Sequence, residues 1–370
     1  DGAHLNDFSP AEITSLLSRI ADRGHEVTII GERGFFGGFS SLGSGERITL
    51  LEEKLRQSGS FVGIAPDDPF TREEIDTVER FVVKGGRLLL VADPTRSNQI
   101  NTLAERFGIT FRPDYLYNPV EYDLNFQNIK VRNFQLHPLT QGLREIVLYT
   151  AGSVSSASPG LAFTDGNTRS TIVERIEPFY PIVTGVNGRV VAIADLTFMV
   201  PPQNSILDND MLVSNIADYL TASEREFNLD DFPHFFRSEV DILVGRSSLF
   251  DVGTTMKTLL SGFRVNSEMR GVEDITRDTV FLGLYEDSFN VAQYLQVAGI
   301  QLDGTLRTPF STDIKREDTA LVLLHHGQER HVLAVLGDSQ SSLVNIISQL
   351  KSGKFRDGQV SDSIGVYKTP

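Results

Sequence analysis

Seven residues are of types that move protons or hold cations: His4, Asp7, Asp67, Asp68, Asp93, Arg96 and Asp195. Carboxylates gathered in one cleft raise one another's pKa, and such a set can act as acid and base or bind a cation. Their spacing matches no catalytic motif, so three readings stand in order. Structural roles come first: Asp67 and Asp68 as turn formers, Asp93 and Asp195 as strand ends, Arg96 paired with one of them. A binding site without chemistry comes second, and catalysis third. His325, His326 and His331 flank a turn without a third ligand at metal spacing, so they read as solvated turn residues. The chain has no cysteine, which excludes disulfides, thiolate metal sites and a cysteine nucleophile. No Gly-x-Ser-x-Gly elbow and no glycine fingerprint opening a helix is present, so neither a serine hydrolase nor a dinucleotide site is indicated. No catalytic residue, metal or cofactor is assigned.

The stretch that must position these residues is Phe61 to Arg96. Phe61–Ala65 is an apolar strand stopped by Pro66-Asp67-Asp68-Pro69. Thr71 and Glu74 have capping-box spacing, and Ile75, Val78, Phe81 and Val82 form one helical stripe. Gly85-Gly86 ends that helix, and RLLLVA (87–92) reads as a strand covered on both faces. Asp67, Asp68, Asp93 and Arg96 then lie past the carboxyl ends of two parallel strands, where open α/β sheets place ligands. Asp195 ends another strand, so all seven share one edge if the sheet is parallel.

Around that unit, Ser9–Glu12 is a second capping box leading a helix that Gly24 ends, and Glu26–Ile30 reads as a strand. Residues 31–45 hold six glycines with Phe35, Phe36 and Phe39 among them. They read as a mobile crossover loop, with a phenylalanine lid as the sharper alternative. A helix is expected near Ile48–Gln57 and another over Asn98–Phe107; 112–135 reads as irregular, and HPLTQGL (137–143) as a compact turn. Pro181–Gly185 and Arg189–Ala194 form a hairpin, and Asp208 caps a helix. Residues 223–236, polar and then aromatic, read as a linker between domains at 1–222 and 237–370. In the second domain Ser247, Ser288 and Ser339 each follow an apolar strand and open a helix. They read as caps, with anion binding at the helix starts as the alternative. Thr319–His325 and Arg330–Leu336 pair as a hairpin.

Two domains also follow from 370 residues, and 40% hydrophobic content is that of a globular chain. With 49 acidic and 34 basic residues the net charge is −15, which argues against nucleic acid or an anionic membrane as partner. No run approaches the roughly 20 apolar residues of a membrane span. The opening at Asp1 reads as a mature fragment or trimmed chain, with residues 1–4 as the loop after a strand.

The ordered set HLNDFS (4–9), Pro66–Asp93 with its Asp-Pro-Thr end, HPLTQGL and Ala194-Asp195…Asn209…Asn215 resembles an uncharacterised domain family. That family is related to class I glutamine amidotransferases and similar to the extracytoplasmic domains of auxiliary ABC-transport and gliding-motility components. The resemblance covers residues 1–222. It implies an α/β fold, a flavodoxin-like three-layer sandwich, followed here by a smaller α/β domain. Amidotransferases carry a cysteine nucleophile after a central strand, and the matching place here is near Asp93-Pro94-Thr95. The resemblance therefore implies a non-catalytic, bacterial, extracytoplasmic binding module of a membrane-anchored protein. Its partner would be a protein or a small ligand such as a sugar or peptide. A carboxylate-dependent hydrolase of a glycan or amide, and a structural spacer, are the alternatives.

Overall fold

The computed structural model describes residues 1–370 apart from 34–37, 40, 41, 159, 186, 187, 238 and 370; of 32, 33, 38 and 39 it describes the backbone only. The chain divides into two units, Asp1–Arg225 and Glu226–Pro370, each mixed α/β.

The sheet of the first unit contains Ser60–Ile64 (β1), Arg87–Val91 (β2), Asn133–Phe134 (β3), Gly160–Phe163 (β4), Ile182–Gly185 (β5) and Val190–Ile193 (β6). Their order is β1-β2-β6-β5-β4-β3. The first three are parallel and in register, Ile64 beside Val91 and Val91 beside Ile193; the other three run antiparallel. The sheet is thus mixed, and its parallel part is the part that ends at Asp67, Asp93 and Asp195.

Helices cover both faces of this parallel part. Alternate residues of a strand face opposite sides, and β2 sends Leu89 and Val91 into one core and Leu88 and Leu90 into the other. Thr14–Asp22 (α1) and Asn209–Thr221 (α4) close the first core with Leu16, Ile20, Leu212, Ile216 and Tyr219. Ser44–Gln57 (α2) and Arg72–Val83 (α3) close the second with Leu51, Leu55, Val78, Phe81 and Val82.

Several expected elements take another form. Glu26–Ile30 belongs to no strand. The stretch expected to be irregular, 112–135, carries a seven-residue strand, Asn125–Val131, which pairs with Ile146–Tyr149. Asp208 does not cap α4; its Oδ2 accepts the N–H groups of Arg144 and Glu145 at 2.7 and 3.0 Å. The phenylalanine loop centred on 34–37 and the 186–187 turn lie outside the described residues, although β5 and β6 pair as the expected hairpin.

The second unit has the order β8-β7-β9-β11-β10-β12, from Val240–Val244 (β7), Ser267–Met269 (β8), Asp278–Leu284 (β9), Thr319–His326 (β10), His331–Gly337 (β11) and Ile364–Lys368 (β12). Strands β7, β8, β9 and β11 are parallel, while β10 pairs antiparallel with both β11 and β12. Phe250–Gly262 (α5) and Gln340–Ser352 (α6) cover one face. Of the stretch read as a linker, Leu229, Phe232 and Phe235 are buried in this core. Of the three serines, Ser339 caps α6 by accepting from the N–H of Ser342; Ser247 and Ser288 lie inside 3-10 turns and cap nothing.

Among the described residues no helix is long and apolar enough to cross a membrane.

Candidate functional site

The in-register ends of β1, β2 and β6 bring Asp67 and Asp68, Asp93, and Asp195 to one edge of the sheet. His4 joins them, because its carbonyl accepts the N–H groups of Asp67 and Asp68 at 3.0 and 2.9 Å. Asp7 joins through its own N–H on the Ala65 carbonyl at 2.9 Å. Arg96 follows β2 and donates from Nη1 to the Asp7 carbonyl at 2.7 Å. The seven residues therefore share an edge, but they form three separate clusters rather than one cleft.

The first cluster lies beneath the surface. His4 is 2% exposed and stacks on Phe70, ring centroids 3.9 Å apart. Its Nδ1 is 2.8 Å from Asp1 Oδ2, and its Nε2 is 3.4 Å from Glu74 Oε2. Glu74 is wholly buried; Oε2 accepts the Thr71 N–H at 2.7 Å and Oε1 accepts Arg47 Nε at 3.1 Å. Arg47 also reaches Asp68 Oδ2 at 3.1 Å. Burial pulls the His4 imidazole below its ordinary pKa, against the pull of Glu74. Glu74, despite a burial that pushes the other way, is brought down to about 2 by His4, the Thr71 N–H and Arg47.

The second cluster is Asp93 with Asp195, 1% and 0% exposed. Asp93 Oδ1 accepts the Thr95 N–H at 2.9 Å and its hydroxyl at 2.5 Å. Asp195 Oδ2 accepts the Tyr149 N–H at 2.8 Å and Oδ1 the Thr197 N–H at 2.7 Å. Thr197 bridges the pair, since its hydroxyl lies 3.4 Å from Asp93 Oδ2. Burial and the neighbouring Asp93 push the Asp195 carboxyl well up, against backbone N–H groups of Tyr149, Thr197 and Phe198.

The third cluster corrects the expected pairing of Arg96. Its partner is Glu12, with Nη2 2.6 Å from Oε1, rather than a strand-end aspartate. Asp7 and Asp67 are exposed at the rim, and Ser97 Oγ donates to Asp67 Oδ1 at 2.5 Å.

Glu74, Arg47, Glu12 and Thr197 belong to the site and were not among its expected members. Glu74 and Glu12 were legible as capping residues, and each does cap its helix. Nothing local in the sequence ties Arg47 to Glu74, 27 positions on.

Of the three histidines expected to be solvated, His326 is exposed and His325 half-buried, and His331 departs from expectation. His331 is 2% exposed rather than solvated, its ring 4.9 Å from that of His326, and its Nδ1 has no hydrogen-bond partner among the described residues. Among the described residues no group of three His, Asp or Glu side chains is placed to hold a metal ion.

No family model and no curated protein matches this chain. Among solved structures it is similar to one described as "mmIFT52 N-terminal domain", with a TM-score of 0.45 and 13% identity over 59% of this chain and 98% of that one. A likeness at that level says nothing further about this chain.

Proposed function

We propose that this chain is a binding module without chemistry of its own, which presents the carboxyl edge of β1, β2 and β6 to a partner. In this reading the first unit is a flavodoxin-like, amidotransferase-like three-layer sandwich. It stands outside the cytoplasm in a membrane-anchored, ABC-transporter-linked assembly, and its partner is a protein of that assembly. What supports the reading is how the edge uses its ionisable groups. Asp93 and Asp195 point their oxygens at backbone N–H groups and hydroxyls, His4 lies under Phe70, and Arg96 is held by Glu12. A catalytic acid or base must reach the substrate proton, and the buried pair offers it no surface. The rim that remains, Asp7, Asp67 and the half-buried Asp68, is acidic and suits a basic patch.

Co-purification from the full-length protein, followed by titration of the captured partner, tests this. Asp67→Lys is expected to weaken that binding about 10-fold or more. Unchanged binding by the variant, or turnover of any small substrate, counts against it.

One observation favours a second reading, a carboxylate-dependent hydrolase: two neighbouring aspartates, one pushed well above the ordinary carboxylate range. That reading requires hydrolysis of a glycan or amide that Asp195→Asn abolishes.

A further inference from the structure

Successive residues of a β-strand turn their backbone groups to opposite sides. In the second unit the Val240 N–H meets the Asn266 carbonyl at 2.9 Å, and the Arg270 N–H meets the Ile242 carbonyl at 3.0 Å. The even-numbered residues 266, 268 and 270 therefore face β7, and Ser267 and Met269 point their N–H and C=O groups away from it. Strand β8 is the last of its sheet, and among the described residues no hydrogen bond reaches those outward groups.

The side chains along this edge carry a pattern. Glu268 and Arg270 lie on one face, 57% and 47% exposed, with Met269 between them. Arg270 Nη2 is 2.6 Å from Glu268 Oε2, an exposed pair that exchanges partners at little cost. When two copies of this edge pair antiparallel about Met269, residue 268 of each lies opposite residue 270 of the other. Opposite charges directly across a strand pair attract and like charges repel, so the order acid, methionine, base is complementary to itself. Charges of one sign would guard the edge against a second copy; this order does not. Past the strand, Gly271 to Thr276 are exposed, Val272 at 82% and Ile275 at 70%, so the approach is open.

We propose that β8 pairs antiparallel with β8 of a second copy of this chain, about a two-fold axis at Met269. Met269 of each copy then exchanges both backbone hydrogen bonds with Met269 of the other, and Glu268 of each faces Arg270 of the other. The contact is the same patch on both copies, so it closes at two, and the two six-stranded sheets become one. Because β8 is only three residues long, the dimer is transient.

Sedimentation equilibrium of the full chain tests this from micromolar to millimolar concentration, in salt that screens the repulsion between chains of net charge −15. The mass is expected to rise from that of one chain toward that of two. Glu268→Arg sets like charges opposite each other and is expected to weaken association about 10-fold or more, and so is Arg270→Glu. Mixed together, the two variants restore both opposite-charge contacts and are expected to associate as the natural chain does. Arg270 also lies 3.8 Å from the buried Asp241. If Arg270→Glu therefore does not fold, amide exchange decides. The Met269 N–H is expected to exchange more slowly as the natural chain is concentrated, and much less so in Glu268→Arg; the Arg270 N–H, held by β7, changes little in either. A single-chain mass at every concentration overturns the proposal. So does a dimer that Glu268→Arg leaves as tight as before, a mixture that stays monomeric, or a Met269 N–H indifferent to concentration.

Discussion

Arg47 Nε donates to Glu74 Oε1 at 3.1 Å, and the two side chains are 9% and 0% exposed. Breaking a buried pair from one side strands the other charge, at a cost of about 3–5 kcal/mol. Arg47→Met is therefore expected to destabilise the first unit by about that much in urea unfolding. Removing both charges, in Arg47→Met with Glu74→Met, is expected to cost less than the single change. A double variant as weak as the sum of its parts would show that packing, not charge, sets the effect.

The start and end of α3 give smaller, cleaner numbers. Thr71 Oγ1 accepts the Glu74 N–H while Glu74 accepts the Thr71 N–H in return. Because Glu74 also serves Arg47, Thr71→Ala isolates the cap, and a loss of about 1 kcal/mol is expected. Past the helix end Gly85 has φ +96°, and a Cβ there would lie 3.2 Å from Arg225 backbone. Gly85→Ala is expected to cost about 1 kcal/mol or more for the strained φ alone. Thermal unfolding of both variants checks the two values.

These two devices were readable because each is local. A capping box spans four residues, and a glycine stop needs only its neighbours. The crossover of β1, α3 and β2 followed from such signals, and so did the shared edge of Asp67 and Asp93. Roles set by distant partners were not readable. Asp208 looks like a helix cap, but the hydrogen bonds open to it come from Arg144 and Glu145, more than 60 positions earlier. His331 looks like a turn residue, yet Phe235 and His326 enclose it. Leu229, Phe232 and Phe235 have no period to announce burial, because they enter the second core from a single 3-10 turn, Leu229–Asp231, and the turns that follow it. The candidate site was legible as a place, and its clusters were not, because they depend on Arg47, Glu12 and Thr197.

His331 makes the second unit sensitive to acid. Burial, with Arg237 and His326 nearby, lowers its pKa to about 4, against the pull of Asp278. A base depressed in the folded state contributes stability above its unfolded pKa, near 6.5, and loses it as pH falls toward the folded value. Between those limits the loss reaches about 3 kcal/mol at about 1.4 kcal/mol per pH unit. Unfolding of the second unit, followed from pH 7 to pH 4, is expected to show this slope, and His331→Gln is expected to flatten it.

Asp195 has the opposite sign. Its folded pKa is raised, by burial first and then by Asp93, so its contribution is full below the unfolded carboxylate range and is lost as pH rises through the folded value. The backbone N–H groups of Tyr149, Thr197 and Phe198 resist that rise by favouring the charged form. Asp195→Asn keeps one acceptor oxygen and removes the ionisation. The stability of the natural protein relative to this variant is therefore expected to fall as pH rises above the unfolded carboxylate value, about 4, read as the difference between two unfolding curves at each pH. A difference that grows with pH instead would mean that the three N–H donors outweigh burial and Asp93. Asp195→Ala separates the two effects, since it leaves those donors without an acceptor at every pH. Its loss relative to Asp195→Asn, about 1–3 kcal/mol for each buried group left unmet, is expected to be independent of pH.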